Sequence, residues 1–286
     1  MSKKKRNIII ISSVLVAIVG ILITLSLTVF SLKDITVDFR TSTQNLTATQ
    51  EEIIQSGEFS KSCVLFYNKN KAKEKIEKKY PYIKVINIET KFPASFVIHV
   101  AERQEVYALS KDDKVYYLDE QLKVLRITEE EFVSTSENPI AIKGVGTGLE
   151  LGEKAEIEGY SDIYSAFLQS NFNLGMQKEI FKEIQFKREY DSNVKQEYLN
   201  AYISLFNGQT IKILDTEYGL KYKANLALRG YSSIWSFIGK EYSFDGEEKV
   251  VLTQEMLENV TICVQSYYDR NHHKESETYF KLIKAS

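Results

Sequence analysis

The sequence predicts an α+β protein with an N-terminal transmembrane helix, a small βααββ domain and a larger mixed, β-rich domain. Three observations predict it. Ile8 to Phe30 is an apolar run of 23 residues without a charge. Tyr80 to Glu105 reads as two alternating strands joined by a turn. Tyr198 to Leu214 reads as a second hairpin and is followed by the longest apolar helical stripe outside the first run.

The first run is long enough to cross a bilayer. At 1.5 Å per residue it reaches roughly 35 Å, against a hydrocarbon core of about 30 Å. A cleaved signal peptide has a shorter apolar region ending in a small-x-small site, and Leu27 to Ser31 offers no such site. Lys3, Lys4, Lys5 and Arg6 precede the run. The positive-inside rule then leaves residues 1–7 as a cytoplasmic tail, 8–30 as a single-pass transmembrane helix in the cell membrane, and the bulk extracytoplasmic.

Composition bounds the rest. Of 286 residues, 43% are hydrophobic, enough for one or two domains with real cores. Gly (13) and Pro (3) are scarce, which argues against long disordered linkers. Beyond the basic tail the chain carries a net charge of −6, so it is a poor nucleic-acid binder.

Residues 33–103 give strand, helix, helix, strand, strand. Ile35, Val37 and Phe39 alternate. Thr49 and Glu52 have capping-box spacing, and Gly57 is a natural stop. A basic helix over 69–79 places Ala72, Ile76 and Tyr80 inward and its lysines outward, toward water or anionic partners. In the closing hairpin Ile86 and Ile88 share one face, as do Phe96, Ile98 and Val100, and Pro93 suits the turn.

This stretch resembles the POTRA domain of the FtsQ/DivIB family of bacterial cell-division proteins. The resemblance rests on Tyr80-Pro81-Tyr82-Ile83, Lys91-Phe92-Pro93-Ala94 and Val100-Ala101-Glu102-Arg103. The family usually carries Pro two residues after that Arg, where this chain has Glu105.

Residues 104–268 read as the β domain. Val106–Leu109 and Val115–Leu118 are strands. Leu118 to Leu125 is similar to the family's Leu-Asp-x-x-Gly-x-Val-Leu turn, with Leu122 in the glycine's place, which argues against a positive φ there. Asn138 to Gly152 is glycine-rich but lacks nucleotide-loop spacing. Its Pro139 to Gly144 segment is similar to the start of the family's second subdomain. A helix follows over 157–168 and a strand near Phe181–Phe186. Asn207-Gly208 predicts a type I′ turn. In the helix over 217–238, Leu220, Ala224, Ala227, Tyr231, Ile234, Trp235 and Ile238 form one stripe, ended by Gly239. Asp245-Gly246 reads as a turn, Val260–Tyr268 as the last strand, and residues 269–286 as a flexible C-terminal tail.

Chemistry is hard to find. Val260-Thr261-Ile262-Cys263 with Arg270 resembles the Thr-x-x-Cys…Arg core of sortases only in part, since a single residue parts Thr261 from Cys263; a thiolate nucleophile also needs a base, and no His lies between His99 and His272. His272-His273 lacks further metal ligands. Cys63 and Cys263 read as two buried thiols. The expectation is no enzyme activity, no catalytic residues, no cofactor and no metal.

The family resemblance implies a non-catalytic divisome scaffold at the division septum. It implies binding to FtsL-like and FtsB/DivIC-like bitopic proteins, indirect regulation of septal peptidoglycan synthases, no nucleic acid and no small-molecule substrate. The partner adds a strand to an exposed edge. Mapped here, the partner-binding residues are Tyr231, Trp235, Val260, Ile262, Val264, Ser266, Tyr267 and Tyr268. Rival readings are another membrane-anchored POTRA-type scaffold, in sporulation or secretion, and a membrane-anchored cell-wall enzyme.

Overall fold

The computed structural model describes residues 3–40, 48–59, 63–65, 67–144, 146–192, 195–244, 247–269 and 274–284. The chain divides into two compact units, Met1–Arg103 and Gln104–Ser286.

The first unit holds α1 (Lys3–Thr28), β1 (Asp34–Phe39), α2 (Gln50–Ser56), α3 (Lys69–Lys79), β2 (Ile83–Lys91) and β3 (Ser95–Glu102). The sheet order is β1-β3-β2, with β1 parallel and β2 antiparallel to β3. Thr49 and Glu52 make the reciprocal capping box that starts α2. Asn68 caps α3 through Lys71 N–H. Ile53, Ala72 and Ile76 pack on Val37, Val85, Ile88, Phe96, Ile98 and Val100.

One expected facing residue is displaced. Ile86 is 51% exposed. The register shifts between Val85 and Asn87, so a bulge turns Ile86 outward and returns Ile88 to the core. Helix α1 has 26 residues, and its described apolar side chains are exposed. Among the described residues no helix is long and apolar enough to cross a membrane.

The second unit is one large sheet with helices on one face. Its elements are β4 (Tyr107–Lys111), β5 (Lys114–Leu118), β6 (Val124–Thr128), β7 (Ile140–Lys143), β8 (Gly146–Thr147), β9 (Glu156–Ile157), α4 (Tyr160–Leu168), α5 (Leu174–Ile180), β10 (Phe181–Asp191), β11 (Gln196–Leu205), β12 (Thr210–Ile213), α6 (Leu220–Ser233), a 3-10 turn (Ile234–Phe237), β13 (Glu241–Tyr242), β14 (Val250–Val251), α7 (Gln254–Glu258), β15 (Val260–Asp269) and β16 (Lys274–Lys284). The nine-stranded order is β16-β15-β12-β11-β10-β7-β4-β5-β6. Tyr107, Leu109, Leu118, Ile203, Ile211, Ile213, Ile262 and Val264 meet Tyr160, Phe167, Ala224 and Ala227 in its core. Gly159 (φ 84°) sets the entry to α4. A Cβ there would stand 2.2 Å from the Phe186 ring, so the close approach requires glycine.

Three local expectations need correction. Asn207-Gly208 is not a type I′ turn. Only Gly208 has positive φ (92°), Gly208 N–H donates to Leu205 carbonyl at 3.2 Å, and Leu205 N–H donates to Gln209 carbonyl. That is a three-residue loop with a glycine bulge. The two-residue turn with positive φ at both positions lies instead at Asp112-Asp113 (50° and 58°). Leu122 has φ 66° despite its side chain, and it is 2% exposed. Burial of that leucine offsets the left-handed strain of about 1–2 kcal/mol. The helix expected over 217–238 starts at Leu220 and gives way to the 3-10 turn, which leaves Trp235 and Ile238 exposed rather than in the stripe. Asp245-Gly246 lies outside the described residues.

The largest correction is at the end. The segment read as a flexible tail is strand β16, antiparallel to β15 from Val260↔Lys284 to Asp269↔Lys274. Leu282 is 1% exposed and closes the core beside Ile262.

Candidate partner-binding surface

The surface is built from α6, the 3-10 turn and the last strands. Lys223, buried in α6, donates from Nζ to the carbonyls of Leu214 (2.9 Å) and Asp215 (2.6 Å). This fixes α6 to the end of β12. Ala224 and Ala227 let the helix approach the sheet closely. The opposite side of α6 carries a shallow groove of about 360 Å³ lined by Lys221, Tyr222, Asn225, Leu226 and Arg229.

The expected site residues separate into three groups. Trp235 is exposed, and Tyr231 is half-buried against the core. Val260, Ile262 and Val264 are 2%, 0% and 0% exposed. They face the core, and β15 is paired on both sides, with β12 parallel and β16 antiparallel. Strand 260–268 is therefore not an edge, and these three residues cannot offer side chains to a partner. Ser266, Tyr267 and Tyr268 lie in β15 by backbone, and their side chains lie outside the described residues.

The edge is β16, and it is partly closed. Leu282 N–H donates to Tyr242 Oη at 2.8 Å, and Tyr242 O–H donates to Leu282 carbonyl at 3.4 Å. At Leu282 the main chain thus faces away from β15 and is occupied. By alternation along the ladder, the main chain at Phe280 and Thr278 faces the same way. Among the described residues no strand covers them. Lys284 also pairs with Glu247 beside this end. Replacing Tyr242 with Phe should raise hydrogen exchange at the Leu282 amide about fivefold, since a lost hydrogen bond is worth about 1 kcal/mol. Unchanged exchange would show that Tyr242 does not close the edge.

The open face of the same sheet carries Glu189. It accepts from Tyr202 Oη (2.5 Å), Asn200 Nδ2 (2.8 Å) and Lys212 Nζ (3.1 Å). Burial opposes ionisation of Glu189, but these hydrogen bonds and the Lys212 charge bring its pKa down to about 2. A depressed carboxylate stabilises the fold above its unfolded value of about 4.3 and loses that contribution as pH falls toward 2. Glu189→Gln should flatten the acid limb of thermal stability between about pH 5 and pH 2. An unchanged acid limb would remove Glu189 from that role.

Cys263 is 1% exposed, in register with Lys212 and Lys281. Cys63 is half-buried rather than buried, and the two cysteines form no disulfide. His272, His273 and Arg270 lie outside the described residues. Among the described residues no group of three His, Cys, Asp or Glu could hold a metal.

In the first unit the geometry explains the recognised words. Arg103 is 5% exposed. Its N–H donates to Tyr82 carbonyl (2.8 Å), its Nε to Ile83 carbonyl (3.3 Å), and a terminal nitrogen to Glu77 (3.0 Å). Glu77 also accepts from Val85 N–H at 2.8 Å. The end of β3 is thereby tied to the start of β2, where Tyr80 to Ile83 sits. The α3 lysines serve their own unit in part. Lys75 pairs with Glu58, and Lys69 lies 5.4 Å over the Phe96 ring.

Residues 30–103 match the family model for the POTRA domain of FtsQ type. This stretch is similar to an FtsQ-type POTRA domain. Over 82 residues the chain is 38% identical to cell division protein DivIB of Clostridium tetani, covering 28% of this chain and 31% of that protein. The match thus spans under a third of the relative's length. Both matches support the FtsQ/DivIB family of cell-division proteins, the family that the words between Tyr80 and Arg103 resemble. Glu77, the partner that gives Arg103 of the POTRA domain its purpose, escapes sequence reading because it sits among lysines on a helix read as solvated.

Proposed function

We propose that this chain is a non-catalytic, membrane-anchored scaffold of the cell-division machinery. The observation that carries the reading is the FtsQ-type POTRA domain at residues 30–103 together with the DivIB relative. Helix α1 is the anchor. The uncharged run Ile8–Phe30 within and beyond it has the length of a span, and the basic residues before it place the N-terminus in the cytoplasm. The POTRA domain and the second unit lie outside, at the septum.

The second unit presents the partner site. Its open main chain at Thr278 and Phe280 accepts an extended strand from an FtsL-like or FtsB/DivIC-like bitopic protein, and Trp235 with the groove on α6 supplies an anchor beside it. Through those partners the protein regulates the septal peptidoglycan synthases. The test is co-purification of the full chain, in detergent, with the host's FtsL-like and FtsB/DivIC-like proteins. A stable complex is expected. Its absence with all proteins folded would turn the reading to the other POTRA-type scaffolds, and mid-cell fluorescence of the tagged protein in growing cells would then be missing as well.

A further inference from the structure

We infer that the end of the POTRA domain where α1 enters is a bilayer-contacting rim, with Phe92 and Leu65 as its insertion points. The inference rests on the anchoring role of α1 proposed above.

The covalent chain brings this end to the membrane. Five residues lie between Thr28, the last of α1, and Asp34, the first of β1, a reach of about 20 Å fully extended. The connection is not free. Phe30 and Leu32 pack on the POTRA core, Val64 N–H donates to Phe30 carbonyl at 2.9 Å, Ser31 bridges to Cys63, and Lys33 N–H donates to Ala94 carbonyl at 2.8 Å. The docked residues therefore hold one end of the domain against the exit of α1.

Two loops project at that end. One follows Val64 and carries Leu65, 46% exposed. The other is the β2–β3 turn, where Phe92 is 68% exposed. Asp34 pairs with Ser95, three residues after Phe92, so both loops sit beside the start of β1. Val29 (38% exposed) continues the apolar surface down to α1. Among the described residues, the charged groups near these loops in sequence or register include Lys33, Lys69 and Lys91 against Asp34 and Glu89, the last paired with Lys91 at 2.6 Å. An exposed phenylalanine and leucine with lysines near them in the chain suit the headgroup layer, where the apolar side chains bury and the ammonium groups stay wet. A protein partner is less suited, because the height of this end above the bilayer is fixed by the docked connection.

The full chain would be reconstituted in vesicles of phosphatidylcholine and phosphatidylglycerol with brominated acyl chains. Phe92→Trp in a Trp235→Phe background supplies the reporter, Leu65→Trp a second one, and Ile86→Trp, exposed on β2 away from the turn, the control. The first two reporters should be quenched several-fold more than the control, as insertion of a few ångströms into the acyl boundary requires. If Phe92→Trp does not fold by circular dichroism, Leu65→Trp decides. Quenching equal to the control in a protein that resists carbonate extraction overturns the rim and leaves the anchor standing. Extraction by carbonate overturns the anchor, and the rim with it.

Discussion

Arg103→Ala is expected to destabilise the POTRA domain by about 3–5 kcal/mol, the cost of removing one partner from a buried ion pair. The side chains of Arg103 and Glu77 are only 4% and 11% exposed. Removing the guanidinium leaves the Glu77 carboxylate with the Val85 N–H and the half-exposed Lys73 ammonium at 3.9 Å, a weaker countercharge for a site that water barely reaches. It also frees the Ile83 carbonyl from its side-chain donor. Thermal unfolding should show the first unit melting well before the second. A control separates charge from packing. Glu77→Gln with Arg103→Met replaces both charges by groups of similar size and should recover much of the loss, since buried pairs exchanged together often cost little. If Arg103→Ala shifts the transition by less than about 1 kcal/mol, the pair is wetter than its burial implies.

That pair marks where sequence reading worked and where it stopped. The βααββ order is legible because each signal is local. Thr49 and Glu52 announce a helix start three residues apart, and Phe96, Ile98 and Val100 alternate without interruption. Ile86 is misread because a bulge is invisible to strict alternation. The glycine logic fails at Leu122 because burial offsets the left-handed strain at that position. Helix α5, seven residues with Gly175 inside it, is too short to show a period. In the second unit the decisive pairings are distant in sequence. Thr210 to Ile213 pair with Thr261 to Val264 in parallel, and nothing in either segment names the other. Strand β16 hides for a related reason. Tyr279, Phe280, Leu282 and Ile283 do not alternate, since an edge strand buries only part of one face, and the polar residues before them look like a tail. The consequence for the site is direct. Taking 260–268 as the last strand makes it the edge, and one more strand moves the edge outward by one position.

The same displacement separates two proline substitutions that a sequence-only mapping would treat alike. Ile262→Pro is expected to unfold the second unit. Ile262 is fully buried, its neighbours are Ile211 on β12 and Leu282 on β16, and proline there removes a ladder hydrogen bond inside a nine-stranded sheet. The cost is about 1–3 kcal/mol for the buried carbonyl left without its donor, before the lost burial is counted. Circular dichroism and a melting curve should show loss of the cooperative transition. Phe280→Pro acts on the outward side of β16, where the missing N–H belongs to the open edge rather than to the ladder with β15. The second unit should stay folded, and affinity for the FtsB/DivIC-like partner should fall at least about fivefold, the worth of one main-chain hydrogen bond near 1 kcal/mol. Tyr242→Phe supplies the opposing change, because it frees the outward groups of Leu282 for one more pair. If Ile262→Pro remains folded, β15 is not interior. If folded Phe280→Pro binds as tightly as the parent, the partner is held by α6 and Trp235 without strand addition, and the groove beside Tyr222 and Arg229 becomes the place to probe.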